Sequence, residues 1–244
     1  MLQTTLGDRL KIVYVYHDCF ILEIDDRVVV FDYPSNIKDR EIEFVKSSAK
    51  NKTLILLFSH SHADHFNPNF STLREGVRNF QCIVSYDILE SYGELIKRCI
   101  VVEPGDQLSI SNFKVKVFGS SDQGVSYVLE ISDVLLYFAG DNGNWVRDEL
   151  PEELSTMIKS KFIETINQIA RCYRSIDIVF TPICIFCEDL GGVRYVSEKL
   201  KPKLLIPMHL RGQIQILNKI APLLKELARK VFVYEKLGDE IHFK

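Results

Sequence analysis

Apolar residues in this chain fall in short, nearly unbroken runs rather than in strict alternation with polar ones. Residues 10–16, 20–24, 28–32 and 53–58 are such runs, and each is predicted to form a strand, the last of them a buried one. Asp25-Asp26-Arg27 reads as a tight turn between the second and third, and Pro34 closes the third because it cannot continue a ladder. Residues 39–50 change period. Ile42 and Val45 are separated by charges at helical spacing, which predicts a helix between two strands. Strand, helix, strand is a βαβ unit with parallel pairing, so Asp32 and His60, which follow the two strands, belong at one sheet edge.

The same reading continues along the chain. A short helix is expected after Pro68, strands over 81–85, 99–102 and 113–118, and a helix over 86–96. Residues 126–131 and 134–139 form a hairpin around Ser132-Asp133. A long helix covers 151–173, with Pro151 at a favoured start position. Strands at 177–181 and 203–206 alternate with a helix over 190–200. Residues 214–228 are helical, with Pro222 expected to kink or split the helix. Strands at 231–234 and 240–243 close the chain. No linker, low-complexity segment or repeat interrupts it, so residues 1–244 are predicted to be a single α/β domain, in two β-rich halves with flanking helices.

The chemistry is concentrated just past the strand at 53–58. There the chain reads Ser59-His60-Ser61-His62-Ala63-Asp64-His65-Phe66. Half of the chain's six histidines fall in this one hexad, which ordinary composition does not explain. In extended backbone His60 and His62 point the same way and can grip one ion. Asp64 and His65 follow as the chain turns and can reach a second point nearby. Imidazole and carboxylate suit zinc, manganese and iron.

The run His60-x-His62-x-Asp64-His65 resembles the signature of the metallo-β-lactamase-fold hydrolases, and weaker pieces extend the resemblance over nearly the whole chain. It implies an αββα four-layer sandwich and a site for one or two divalent ions, zinc first, with manganese or iron as alternatives. Gly140-Asp141 after a strand is similar to the family motif whose Asp bridges two metals, and Pro207-Met208-His209 to the one that supplies a last histidine. Asp32 is similar to a supporting acid near the site. The loop at 119–125 departs from the family. Most members carry a histidine there, whereas this chain offers Ser121 and Asp122, as in a subgroup with a replaced third motif. Asp122 is therefore a candidate ligand. Folding back from the turn at 25–27 brings His17 to the edge that carries His60, so His17 is expected to line the pocket, near the substrate or as a replacement ligand.

The resemblance assigns His60 and His62 to one ion, Asp64, His65 and His209 to the other, and Asp141 between them. The expected chemistry is attack by a metal-bound hydroxide on a small ester, lactone or phosphate-bearing substrate, with Asp64 orienting the water. A lactonase-like branch is the nearest in appearance. Arg211 could contact an anionic substrate and Trp145 could wall the pocket. Two alternatives stand beside this: a nuclease or phosphodiesterase of the same fold, and a degenerate metal-binding protein without turnover. The first position has fewer ligands of its own, so the second is expected to fill first.

Composition narrows the choice. A net charge of -3 and no basic stripe argue against nucleic acid as a partner and favour a small molecule. No apolar run approaches the length of a membrane helix, and residues 1–9 lack the build of a leader. The six cysteines lack the spacing of a secreted disulfide framework, and the Cys184-x-x-Cys187 pair has no thioredoxin-like context. A reducing cytoplasm is the expectation.

Overall fold

The computed structural model describes residues 10–244; the stretch read above as lacking a leader lies outside the described residues. The chain opens with β1 (Leu10–Tyr16), β2 (Cys19–Ile24) and β3 (Arg27–Phe31), a meander in which Phe20 faces Phe31. Helix α1 (Asp39–Ala49) carries the chain over to β4 (Thr53–Phe58), which runs parallel to β3. A 3-10 helix (Phe70–Arg74), β5 (Asn79–Ser85), α2 (Tyr86–Tyr92) and β6 (Ile100–Val102) extend this sheet.

The second half begins with the antiparallel strands β7 (Gln107–Ile110), β8 (Phe113–Gly119), β9 (Val125–Ile131) and β10 (Val134–Phe138). It then alternates α3 (Glu152–Cys172), β11 (Ile178–Pro182), α4 (Asp189–Leu200), β12 (Leu204–Met208), α5 (Ile216–Leu227) and β13 (Lys230–Val231). Strands β10 to β13 are parallel. The last strand, β14 (Glu240–Phe243), crosses back to pair with β1. The result is two seven-stranded sheets, ordered β14-β1-β2-β3-β4-β5-β6 and β13-β12-β11-β10-β9-β8-β7.

Alternation inside the apolar runs explains the layering. In β2 to β4, Phe20, Leu22, Val29, Phe31, Ile55 and Leu57 face the other sheet, where Phe31 stacks on Phe138 at 4.6 Å. Their neighbours Ile21, Val28, Val30, Leu54 and Leu56 point the opposite way, into a second core with Val45 of α1 and Ile88 of α2. Helices α3 to α5 cover the outer face of the other sheet. Both faces of each sheet are thereby dry, as uninterrupted apolar strands require, and the order of layers is αββα.

Some local expectations change. Strand β7 was not anticipated, because Gln107 and Ser109 break the apolar signal of an exposed edge strand. The helix expected to reach residue 96 ends at Tyr92, and the strand expected over 231–234 is reduced to β13. Pro222 neither ends nor splits α5. The helix runs through it with Leu217, Ala221 and Leu224 buried, and this apolar stripe offsets the one backbone bond proline removes. Two disulfides are formed, which the cysteine spacing did not signal. Cys82 on β5 meets Cys99, next to the neighbouring strand β6, and Cys184 meets Cys187 across a tight loop. Pairing of β5 with β6 sets the first contact, which spacing along the chain does not reveal.

Candidate metal centre

One edge of the sandwich collects the polar residues. β3 and β4 run parallel and end at Asp32 and at Ser59-His60. The β1–β2 turn supplies His17 and Asp18, the β8–β9 loop Ser121 and Asp122, β10 leads into Asp141, and β12 into His209. This gathering uses uncommon backbone. His17, Asp32, His209 and Arg211 all have positive φ, at 52°, 39°, 67° and 46°. Such conformations cost on the order of 1–3 kcal/mol each and persist only where surrounding contacts enforce them.

Asp32 organises the centre without facing the cavity. Its Oδ1 accepts from the Ser59 backbone N–H at 2.7 Å, and its Oδ2 accepts from the Ser59 hydroxyl at 2.6 Å. The same Oδ2 lies 2.8 Å from His65 Nδ1, which therefore carries a proton, so Nε2 is the nitrogen that would turn to an ion. The Ser59 hydroxyl, having given its proton to Asp32, can only accept from His60 Nδ1 at 2.9 Å, so His60 Nε2 is the acceptor and takes the hydrogen bond of His62 Nδ1 at 3.0 Å. One buried carboxylate thus sets the tautomer of two imidazoles.

Two glycines make room for this. At Gly124 (φ 71°) a Cβ would run into the Ser59 carbonyl oxygen and lie 2.6 Å from His60 Cβ. At Gly140 (φ 51°) it would lie 2.5 Å from Ser59 Cβ.

Asp141 spans the centre. Its Oδ1 is 3.3 Å from His65 Nε2 and 3.5 Å from His209 Nε2, and its Oδ2 is 3.6 Å from His60 Nε2. On one side stand His60, His62 and Asp122; ligand atoms of these three and Asp141 all lie within 4.8 Å of one another. On the other side, ligand atoms of His17, Asp64, His65 and His209 do the same. Asp122 therefore comes to the loop position where the expected histidine is missing, with its Oδ2 3.9 Å from His62 Nδ1.

His17 comes to the centre itself. Its ring is fully buried, and one of its nitrogens lies within 4.8 Å of ligand atoms of Asp64, His65 and His209. The left-handed backbone at the β1–β2 turn directs it inward. His17 Nδ1 accepts the Arg211 backbone N–H at 3.2 Å, so the neutral ring bears its proton on Nε2, 3.4 Å from Asp64 Oδ2. The Arg211 guanidinium approaches that same oxygen at 3.2 Å, which leaves Asp64 Oδ1 for other partners.

Electrostatics show what the centre lacks. Burial opposes a charge on His65, yet Asp141, Asp32 and Asp18 outweigh it and lift its pKa to about 10. Burial likewise opposes charge on His209, and Asp141 overcomes it, raising the pKa. Burial alone prevails at His17 and His60, which fall to about 4. Asp64 is held below the usual carboxylate range, chiefly by His17. Burial drives Asp122 up, reinforced by Asp141. Buried acids that pull a proton onto a buried imidazole are short of positive charge. Among the described residues, His65 Nε2, His209 Nε2, Asp141 Oδ1 and both oxygens of Asp18 are buried without any hydrogen-bond partner. Unpartnered imidazole nitrogens and orphaned carboxylate oxygens aimed at shared points, open to a cation in place of a proton, are the donor set of a divalent cation, and these residues fit one.

A cavity of about 440 Å³ opens onto the centre. His62, Asp122, Asp141 and His209 form its floor. Trp145 forms a wall, with its indole N–H on the Asp141 carbonyl at 2.8 Å and its ring 4.9 Å from that of His209. Ile158, Ile183 and Ile216 make an apolar side, and Arg147 and Arg211 stand at the rim. Phe186, 77% exposed, and Ile185 project from the loop closed by the Cys184–Cys187 disulfide. Sequence reasoning missed Asp18, Ser59, Arg147 and this apolar side. Only the Gly124 and Gly140 positions beside known motifs hinted at close packing there.

The chain matches the beta-lactamase superfamily domain over residues 11–157. It is 26% identical over 212 residues to a metal-dependent hydrolase of Nanoarchaeum equitans (strain Kin4-M), covering 82% of this chain and 83% of that one. In fold it is similar to a metallo hydrolase of Ignicoccus hospitalis, with a TM-score of 0.67 at 17% identity over 97% of this chain and 99% of the other. It is also similar to CmlA, a diiron β-hydroxylase from Streptomyces venezuelae, with a TM-score of 0.61 at 14% identity over 99% of this chain and 55% of that one. With the family match spanning more than half its length, the chain belongs to the beta-lactamase superfamily, in its metallo-β-lactamase fold, and is a metal-dependent hydrolase.

Proposed function

We propose that this hydrolase cleaves a small ester, lactone or phosphate-bearing substrate, using one or two divalent ions, with zinc as the first candidate and manganese or iron as alternatives. The observation that carries the reading is the convergence of His65 Nε2, His209 Nε2 and Asp141 Oδ1, all buried and unpartnered among the described residues. His60, His62 and Asp122 would hold one ion and Asp64, His65 and His209 the other, with Asp141 shared. An ion bound there supplies Lewis acidity and lowers the pKa of its water.

The chain's own residues would do the rest. Asp32, directly and through Ser59, keeps the Nε2 lone pairs of His65 and His60 aimed at the ions. Asp64 Oδ1 would orient the attacking water, while His17 and Arg211 hold Oδ2. Trp145 and the apolar side shield an organic arm from solvent, and Arg147 and Arg211 match an anionic group on the substrate. A cavity of about 440 Å³ suits a small molecule better than a polynucleotide track.

The test is a substrate screen of lactones, carboxylic esters and phosphodiesters on the protein before and after chelation. Activity should vanish with the metal and return with zinc or manganese. Activity that survives verified metal removal overturns the reading, and metal binding without any turnover supports the degenerate alternative.

A further inference from the structure

We infer that Asp18 is a further metal ligand, bringing a carboxylate to the ion held by His65 and Asp141; this rests on the metal-centre reading above. The juxtaposition is direct. One ligand atom from each of Asp18, His65 and Asp141 lies within 4.8 Å of the others, and all three residues are buried.

The position of Asp18 is itself unusual. It occupies the two-residue turn between β1 and β2, where polar side chains ordinarily face water. Here both turn residues, His17 and Asp18, are 0% exposed. Neither Asp18 oxygen has a hydrogen-bond partner among the described residues. The nearest imidazole nitrogens, His17 Nδ1 and His65 Nδ1, are each 3.8 Å away, too far for a hydrogen bond. Both are also engaged elsewhere. His17 Nδ1 accepts the Arg211 N–H, and His65 Nδ1 donates to Asp32. A dry carboxylate without donors is costly unless a proton or a cation neutralises it. The residues that share its space are candidate ligands, which points to the cation.

The consequence is a position rich in oxygen. Asp18, Asp64 and Asp141 would supply three carboxylates beside His65 and His209. Such a set shifts preference from zinc toward harder manganese or ferrous ions.

The experiment uses the full chain, stripped of metal and titrated separately with Mn²⁺ and Zn²⁺ by calorimetry, with bound metal quantified. Wild type is compared with Asp18→Asn, Asp18→Ser and His209→Ala. Both Asp18 variants should lose about tenfold or more in Mn²⁺ affinity and less in Zn²⁺ affinity. Their metal-free forms should melt no lower than wild type, because a buried charge has been removed. The inference is overturned if both Asp18 variants bind the two ions as wild type does while His209→Ala loses metal. It is equally overturned if both variants fail to fold by circular dichroism, which would make Asp18 a structural residue. If His209→Ala also binds like wild type, the metal-centre reading itself falls.

Discussion

The Asp32 carboxylate lies 2.8 Å from His65 Nδ1 and also holds the hydroxyl that His60 Nδ1 faces, so one acid controls two imidazoles. Asp32→Asn keeps the shape but presents an amide where His65 needs an anionic acceptor. Metal affinity is expected to fall about 10- to 100-fold, measured by titration of the metal-free protein. Asp32→Ala leaves Ser59 and His65 buried without their partner, and should cost about 3–5 kcal/mol in chemical denaturation. Unchanged affinity in Asp32→Asn would show that Asp32 does not support the ligands.

Gly124 tests the packing behind the centre. Alanine there would clash with the Ser59 carbonyl and with His60 Cβ, at a φ of 71° that alanine resists. Gly124→Ala should lower stability by about 1–3 kcal/mol from backbone strain alone, more with the clash. Gly105, at φ 104° with open space around it, is the control: Gly105→Ala carries the strain without the clash. Equal losses from the two variants, read from melting curves, would mean that close packing at Ser59 adds nothing.

His17 should behave as a donor to Asp64 and not as an ion ligand, since its Nδ1 is already an acceptor. His17→Ala is expected to retain bound metal while kcat/KM falls about 10- to 100-fold, comparable to loss of a group that orients a catalytic partner. Loss of one equivalent of metal in His17→Ala would instead make it a ligand.

Much of this centre was legible in the sequence, and the reasons are local. His60, His62, Asp64 and His65 lie in one hexad after an apolar strand. Asp141 and His209 each follow a strand whose hydrophobic run announces its end. The αββα sandwich came from the family resemblance of these motifs, since the strand and helix pattern alone would permit another α/β fold. Asp18 was not legible, because a turn aspartate ordinarily faces water and only the tertiary fold buries it. His17 was placed at the right edge, although its φ of 52° could not be read from a strand pattern. The disulfides were illegible for a related reason. Cys82 and Cys99 meet through strand pairing, with no motif to signal it.

Acidity should destabilise the metal-free protein. His17 and His60 have folded pKa values of about 4 against 6.5 when unfolded. As pH falls from about 6.5 to 4 the unfolded chain takes up two protons that the folded one does not, so their contribution is lost in that window. Asp18 and Asp122, both raised by burial, run the other way over part of the same interval and soften the loss. His65 works on the alkaline side. Its raised pKa gives stability that is full below 6.5 and lost as pH rises toward about 10. Metal-free stability should therefore peak near neutrality, as chemical denaturation across pH would show. A monotonic rise from pH 4 to 9 would contradict this balance.

The two ion positions should differ in strength. Each has Asp141 in reach, yet their surroundings diverge. The side chains of His62 and Asp122 are 47% and 44% exposed, so half of that ligand set is solvated and must be ordered when an ion binds. On the other side His65 is fully buried, the His209 side chain is 13% exposed, and Asp64 is pinned by His17 and Arg211. Ordering mobile side chains costs entropy, whereas preorganised donors have already met that cost. The position at Asp64, His65 and His209 should therefore fill first and exchange more slowly. His209→Ala should lose more bound metal than His60→Ala, and mild chelation of wild type should leave about one equivalent behind. Equal losses from both variants, or simultaneous emptying under chelation, would show instead that the shared Asp141 couples the positions tightly enough to erase the difference.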